Sequence, residues 1–185
     1  MNKIIKEGES MVKINQLNVC FQSENIDYVS LSELLIPDYL EMINNRNIMK
    51  LLSPKVKTYT YEDELNWVKE NLEKNSLIFS MIERKSQNFI GNIELMDVNN
   101  KSAEIGIVIT ESFQGKHYGT EALKTIIDYS FNVLKLRELD LIVYAHNVRA
   151  IHCYKKLGFK EYKVVNNVAI IDNQSVDDIY MKLEK

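Results

Sequence analysis

The stretch that decides the fold is Glu104-Ile-Gly-Ile-Val-Ile-Thr-Glu-Ser-Phe-Gln-Gly-Lys-His-Tyr-Gly-Thr-Glu-Ala-Leu123. An apolar strand is predicted to end near Thr110, and a long helix is predicted to begin at Tyr118. The connection contains Gly115 and Gly119, and glycines let a main chain approach an anion closely. Because the start of a helix presents unpaired N–H groups and the positive end of its dipole, this pattern suits a pyrophosphate, and Lys116 adds charge.

Taken alone, the same loop is better explained as a purely structural turn, because turns with glycine before helices are common in proteins. The spacing GxxxxGK[ST] of a P-loop is absent from the chain, and so is the dinucleotide fingerprint GxGxxG. The loop therefore indicates a phosphate site of another kind or a turn without a ligand.

The hydrophobic pattern predicts an α/β domain. Strands are predicted at 25–31, 77–82, 88–98, 103–110, 139–144, 159–165 and 178–183, and helices at 37–43, 61–72, 118–134 and 150–157. Asn99-Asn100 is a strong turn signal, so the three strands between 77 and 110 are expected to form an antiparallel meander. This meander argues against a flavodoxin-like nucleotide binder. After it, strands and helices alternate.

Length and composition exclude several classes of protein. The chain of 185 residues fits one domain, expected over 12–185, with a polar extension at 1–11 in which Met11 is an alternative start. Acidic residues (26) outnumber basic ones (23), which argues against a nucleic-acid binder. No apolar run approaches a membrane span. The two cysteines, Cys20 and Cys153, are expected to be free thiols in the cytoplasm.

A second informative stretch is Asn147-Val-Arg-Ala-Ile-His-Cys-Tyr-Lys-Lys-Leu-Gly-Phe159. Asn147 and Tyr154 are two helical turns apart, so they share a helix face with Ile151 between them. Asn147 is also a good helix N-cap. Tyr154 is either a packed aromatic residue or a functional group that faces a cleft.

Together, the two stretches resemble the GNAT superfamily of N-acetyltransferases. Gln114-Gly-Lys-His-Tyr-Gly119 resembles its motif A, written Q/R-x-x-G-x-G/A, and the second stretch resembles the motif B pattern N-x-x-A-x-x-x-Y-x-K-x-G-F. The similarity extends over 26–183, is specific over 104–159, and looks closest to the ribosomal-protein and polyamine N-acetyltransferase branches. It implies the GNAT fold, a mixed and mostly antiparallel sheet of about six to seven strands flanked by helices.

The resemblance also implies acetyl-CoA as a cosubstrate. In this family the loop holds the pyrophosphate and the preceding strand binds the pantetheine arm. When the family's cofactor-binding positions are mapped onto this sequence by its motifs, they correspond to Ile107, Val108, Ile109, Gln114, Gly115, Lys116, His117, Tyr118, Gly119, Thr120, Asn147, Ala150 and Tyr154. One departure is His117, which stands where the motif has its first glycine. If that position needs a positive φ, the residue costs about 1–2 kcal/mol.

The implied reaction is the direct attack of a primary amine on the thioester in a ternary complex. The resemblance makes Tyr154 the general acid for the leaving thiolate. The base is a carboxylate or a water chain, and Glu104 is the main candidate, ahead of Glu94 and Asp97. Glu94 and Asp97 are candidate substrate-binding residues. Their odd separation predicts opposite faces of a regular strand, so at most one would line the cleft unless a bulge intervenes. Cys153 is expected to face the core, and no metal is expected.

The acceptor stays open among a polyamine, a small amine and a peptide N-terminus. In this family the first helices and the last hairpin bind the acceptor, and these are about 37–67 and 166–178 here. In the second segment, Asp172, Asp177 and Asp178 favour a cationic acceptor. In the first segment, Lys55 and Lys57 argue against one. A non-catalytic acyl-CoA-binding sensor or partner module is the alternative, and His117 supports it. The sequence does not determine an oligomeric state, although a homodimer or higher homo-oligomer is common in this family.

Overall fold

The protein is described by a computed structural model over residues 16–55 and 57–185. In this part of the chain, eight strands form one sheet in the order β1-β2-β3-β4-β5-β6-β8-β7. They are Val19–Gln22 (β1), Ile26–Ser30 (β2), Leu77–Glu83 (β3), Phe89–Met96 (β4), Ser102–Ile109 (β5), Glu138–Tyr144 (β6), Lys160–Ile171 (β7) and Gln174–Glu184 (β8).

All neighbouring strands pair antiparallel except β5 and β6, which are parallel. The mixed sheet and its meander agree with the prediction. The strand count of about six to seven was too low by one, because β1 has only four residues and is mostly exposed. Such a short edge strand carries little of the periodicity by which strands are recognised.

Five helices accompany the sheet in the described residues. They are Ile36–Ile43 (α1), Arg46–Met49 (α2), Tyr61–Glu73 (α3), Tyr118–Asp128 (α4) and Val148–Lys156 (α5), and α4 continues as a π-helical turn over Tyr129–Val133. A capping box begins α3, in which Thr60 accepts from the Asp63 N–H and the Asp63 carboxylate accepts from the Thr60 N–H. The sequence did not predict α2, because the helix has only four residues and lies in a stretch rich in asparagine, a residue that disfavours helix interiors. Asn45 is in fact its N-cap.

The two faces of the sheet carry separate cores. Helices α4 and α5 pack on one face, where the core includes Ile93, Ile105, Ile126 and Leu139. Helices α1 and α3 pack on the other face against residues of β2, β3 and β4, such as Val29, Ile78 and Phe89. Full burial of one such side chain contributes about 1.5–3 kcal/mol. The helices thus fix β4 and β5 between two packed layers.

The sheet opens between its two parallel strands. β5 and β6 pair only at Ser102–Glu138, Ala103–Leu139 and Glu104–Asp140. Beyond Glu104, β5 keeps its pairing with β4 while β6 keeps its pairing with β8. A wedge-shaped cleft therefore begins at Glu104 and widens toward the start of α4.

The final hairpin is longer than predicted. Strands β7 and β8 extend to a turn at Asp172 and Asn173, both of which have a positive φ. The carboxylate of Asp172 forms ion pairs with Arg46 of α2 and with Lys50, the C-cap of that helix, which fixes the hairpin tip to the helical layer. The predicted extension at 1–11 and the alternative start at Met11 lie outside the described residues. No helix in the described ranges is long and apolar enough to cross a membrane.

Candidate active site

The cleft is bordered by a free strand edge. The N–H of Thr110 donates to the Ile90 carbonyl at 2.8 Å, and the Val108 carbonyl also points at β4, since a Cβ added to Gly91 would meet it at 1.9 Å. Because main-chain groups of consecutive residues point to opposite edges of a strand, those of Ile107 and Ile109 face the cleft. The Ile109 carbonyl accepts from Gln114 Nε2 at 2.8 Å. The other groups are available to a ligand.

The loop after β5 has the conformation of an anion cradle. Gly115 has φ 73° and His117 has φ 69°, so the main chain turns through the left-handed region twice. A Cβ at Gly115 would meet no atom within 4 Å, and one at Gly119 would only touch Ile109 Cγ1 at 3.8 Å. The loop is therefore open on its ligand side. Because the position of His117 does need a positive φ, the departure from the motif glycine carries the backbone cost of about 1–2 kcal/mol.

The start of α4 keeps its N–H groups available. The N-cap residue is His117, and its side chain makes no capping hydrogen bond. The first amides of the helix consequently point, with the positive end of the dipole, toward the loop. This arrangement fits a pyrophosphate, which is the part of coenzyme A that the loop was expected to hold.

Side chains that the sequence analysis had not assigned hold this loop in place. Arg149 Nη2 donates to Gln114 Oε1 at 2.5 Å, which links the loop to the first turn of α5. Glu111 accepts from the side-chain amides of Asn45 and Asn47 at 2.9 and 3.0 Å, which links it to α2. No periodicity marks such contacts, because their partners are 35 to 66 residues apart in the chain.

Among the other predicted loop residues, Tyr118 donates its hydroxyl to Glu83, and the Thr120 hydroxyl lies 3.3 Å from the Cys153 sulfur. Lys116 is exposed, with its ammonium 5.6 Å from the centre of the Phe113 ring. Cys153 packs against the core, as the helical spacing predicted.

Helix α5 carries Tyr154 on its buried face. Asn147 caps the helix by accepting from the Ala150 N–H at 3.3 Å, as predicted. Tyr154 is 8% exposed and packs in the core on the α4 side, with its ring 6.0 Å from that of Phe159. Its hydroxyl makes no hydrogen bond with any described residue. Burial raises the pKa of Tyr154 to about 12, so the hydroxyl stays protonated at neutral pH.

Carboxylates gather on the opposite face of the sheet. Ala103 and Ile105 point into the core on the α4 side, so Glu104 between them points to the α3 side. Burial raises the pKa of Glu104, and the charges of Asp97 and Asp140 raise it further. Asp140 pairs with Glu104 where the cleft begins. The sequence analysis did not predict it as a site residue, but an isolated acidic residue in an apolar strand was a signal that could have identified it.

Glu94 lies directly over the cofactor strand. It pairs with Gly106, and a Cβ added to Gly106 would meet Glu94 Oε1 at 2.6 Å. The missing side chain of Gly106 thus leaves room for the carboxylate. Burial raises the pKa of Glu94, and the charge of Glu104 adds to the effect.

Glu94 and Asp97 line one cavity of about 500 Å³, together with residues from the end of α3 and the adjoining ends of β3 and β4. Their odd spacing does not separate them, because β4 ends at Met96 and Asp97 has φ 49°, outside strand geometry. Asp172 does not join this group, since it is paired with α2, and Asp177 accepts from the Asn167 N–H.

Comparisons with known proteins agree with this geometry. The model of the acetyltransferase (GNAT) domain family matches residues 29–160. Spermidine N(1)-acetyltransferase from Vibrio cholerae is 34% identical over 121 residues, which cover 64% of this chain and 69% of the relative. The enzyme of the same name from Escherichia coli strain K12 is 46% identical over 71 residues, 37% of this chain and 38% of the relative.

Solved structures show the same fold. The crystal structure of spermidine N-acetyltransferase from Vibrio cholerae in complex with CoA and spermine superposes with a TM-score of 0.80 at 25% sequence identity, over 88% of this chain and 96% of that chain. A GNAT-family acetyltransferase from Bacillus anthracis superposes with a TM-score of 0.77 at 20% identity, over 88% and 96% of the two chains.

Proposed function

The chain belongs to the acetyltransferase (GNAT) domain family and is an acetyltransferase that uses acetyl-CoA, and we propose that its acceptor is a small primary amine of the polyamine class. The observation that carries the proposal is the placement of the free edge of β5 between Tyr154 on one face of the sheet and Glu94 and Glu104 on the other. Because β5 and β6 separate beyond Glu104, the cleft between them connects the two faces of the sheet.

Each part of the cleft has a task in this proposal. Acetyl-CoA supplies the activated acetyl group as a thioester. The loop from Gln114 to Thr120 and the start of α4 bind its pyrophosphate, and Lys116 adds a positive charge. The cleft-facing main chain of Ile107 and Ile109 binds the pantetheine arm. An N–H of these residues also donates to the carbonyl oxygen, where negative charge develops during attack.

The acceptor nitrogen must lose a proton before it can attack. An unperturbed alkylamine has a pKa of about 10.4, so it is almost fully protonated at neutral pH. Glu104 accepts the proton, and Glu94 binds the cation beside it. The raised pKa of Glu104 suits its task, since a more basic carboxylate is a better proton acceptor.

Transfer then needs a proton for sulfur. The amine nitrogen bonds to the acetyl carbon, the carbon–sulfur bond breaks, and the Tyr154 hydroxyl gives its proton to the sulfur. The second proton that the nitrogen loses as it becomes an amide passes through water to the Tyr154 oxygen and restores its hydroxyl. A pKa of about 12 does not prevent this step, because the burial that disfavours the tyrosinate also disfavours a thiolate in the same site. No covalent intermediate on the protein is required.

A polyamine acceptor is supported by charge and by relatives. The acceptor side of the cleft carries Glu94, Glu104, Asp97 and Asp140, and the relatives from Vibrio cholerae and Escherichia coli are spermidine N(1)-acetyltransferases. The positive φ at His117 gives no separate support to a non-catalytic module, because histidine adopts there the left-handed backbone that the loop needs.

The test is the release of free thiol from acetyl-CoA in the presence of single acceptors. We expect release with spermidine and little with a peptide that offers only its N-terminal amine. Glu104→Gln should abolish most of this release without changing the dissociation constant of CoA. If the peptide supports thiol release and no small amine does, the proposed acceptor class is wrong. If no acceptor supports release, the whole proposal is wrong.

A further inference from the structure

We propose that the cavity lined by Glu94 and Asp97 binds a second ammonium group of the acceptor, so that the enzyme prefers diamines and longer polyamines to monoamines. This inference rests on the proposed function and adds to it a specificity site outside the reacting centre. Its volume of about 500 Å³ lies within the range of about 300–1,000 Å³ that is typical of small-molecule sites.

The cavity carries a negative charge that no basic residue of its lining neutralises. Its lining includes two carboxylates and no lysine, arginine or histidine; the lining residues are Asn71, Asn75, Ser76, Leu77, Ile78, Glu94, Leu95, Met96, Asp97 and Val98. Within residues 16–55 and 57–185, the carboxylates of Glu94 and Asp97 form no hydrogen bond or ion pair. Glu94 is partly buried and Asp97 is exposed. A partly buried anion without a partner favours a cationic ligand, and the exposed charge of Asp97 adds to the attraction.

The end of helix α3 favours the same ligand. Asn71 lies in its last turn, and Asn75 and Ser76 follow its C-terminus. The negative end of the helix dipole therefore faces the cavity, and a cation is stabilised there. The side-chain oxygens of these three residues are further acceptors for an ammonium group, which carries three N–H donors.

The position of Glu94 connects the cavity to the chemistry. The same carboxylate lies over Gly106 of the cofactor strand and lines the cavity, while Asp97 lies three residues farther along the chain. At about 3.3 Å per residue, the two positions are separated by at most about 10 Å. An amine that reacts beside Glu94 can therefore place a second ammonium group near Asp97 only if a linear spacer joins the two.

The experiment compares 1,4-diaminobutane with butylamine, because the two differ only in the second ammonium group. For the wild-type enzyme, kcat/KM measured by thiol release should be at least about tenfold higher with the diamine. Because the charge of Asp97 also raises the pKa of Glu104, the comparison is made at a pH well above that pKa, where Glu104 is ionised in both proteins. There, Asp97→Asn should raise KM for the diamine about fivefold, the upper range for an exposed ion pair, and leave kcat and the butylamine kinetics unchanged. Asparagine is accepted at the left-handed position of Asp97, so the turn should persist.

A matched control removes one charge nearby but outside the cavity. Glu73 is the last residue of α3 and does not line the cavity, so Glu73→Gln should keep the wild-type KM for both amines. Ser76→Lys, which places a cation in the cavity, should raise KM for the diamine and provides a second test if Asp97→Asn does not fold. Equal efficiency with both amines, together with wild-type kinetics of Asp97→Asn, would overturn this inference alone. Absence of thiol release with every amine would overturn the proposed function instead.

Discussion

Glu94 and Gly106 face each other across β4 and β5 so closely that a Cβ on Gly106 would meet the Glu94 carboxylate at 2.6 Å. Gly106→Ala should therefore displace this carboxylate. It should leave the fold intact because the atoms that it meets, Oε1 at 2.6 Å and Cγ at 2.8 Å, belong to the flexible side chain of Glu94 and not to the main chain. We expect kcat/KM with spermidine to fall about tenfold, since misplacement of a group near the reacting atoms is costly. Thermal unfolding should show little change.

A double substitution tests whether Gly106→Ala acts through Glu94. If it does, the pair Gly106→Ala and Glu94→Gln should be no slower than Glu94→Gln alone, because neighbouring residues that share one function are not additive. If the loss of kcat/KM in the double variant equals the product of the two single losses, Gly106→Ala acts independently of Glu94.

Tyr154→Phe should lower kcat by about 10²–10⁴-fold, which is the usual contribution of a general acid. The dissociation constant of CoA, measured by calorimetry, should not change, since only a hydroxyl is removed. Stability should also be retained, because this hydroxyl has no hydrogen-bond partner among the described residues. Tyr129→Phe, which removes the hydroxyl of another tyrosine packed against the same core and keeps its ring contacts, is the control and should keep its kcat. A normal turnover of Tyr154→Phe would remove this residue from the mechanism.

The pH dependence of turnover should report Glu104. As a base it must be ionised, so kcat at saturating substrates should fall as the pH drops through its pKa, which lies above the ordinary value of 4.5. Part of that rise comes from the negative charge of Asp140. Asp140→Asn should therefore lower the pKa of Glu104, and the acidic fall in activity should move to lower pH.

Glu138→Gln is the control for this shift, because Glu138 is on the same strand and its charge acts on Asp140 rather than on Glu104. Its pH profile should match that of the wild type. A profile of Asp140→Asn that coincides with the wild type would indicate that another group, or a water chain, accepts the proton.

The sequence predicted the features that are local in the chain. The meander, the loop before α4 and the Asn147 cap each depend on residues within a few positions of one another, and all were found. The missed features depend on pairing across the sheet. Asp140 meets Glu104 only because β6 crosses back to lie parallel to β5, and Gly106 gains its role from the strand beside it.

The pairing of Asp172 with α2 shows the same limitation. From the sequence, this aspartate looked available to a cationic acceptor, since nothing near it in the chain is basic. The long hairpin instead brings it to Arg46 and Lys50, more than 120 residues earlier. Which carboxylates remain free for a ligand is therefore a property of tertiary structure, and hydrophobic periodicity carries no information about it.

The two left-handed residues of the loop should respond in opposite directions to substitution. Gly115→Ala meets open space but forces a side chain onto φ 73°, so we expect it to weaken CoA binding by a strain of about 1–2 kcal/mol. His117→Gly removes the same kind of strain at φ 69°, partly offset by the greater flexibility of glycine in the unfolded chain. It should bind CoA at least as tightly as the wild type. Calorimetry with CoA measures both, and a loss of affinity in His117→Gly would mean that the imidazole itself contacts the cofactor.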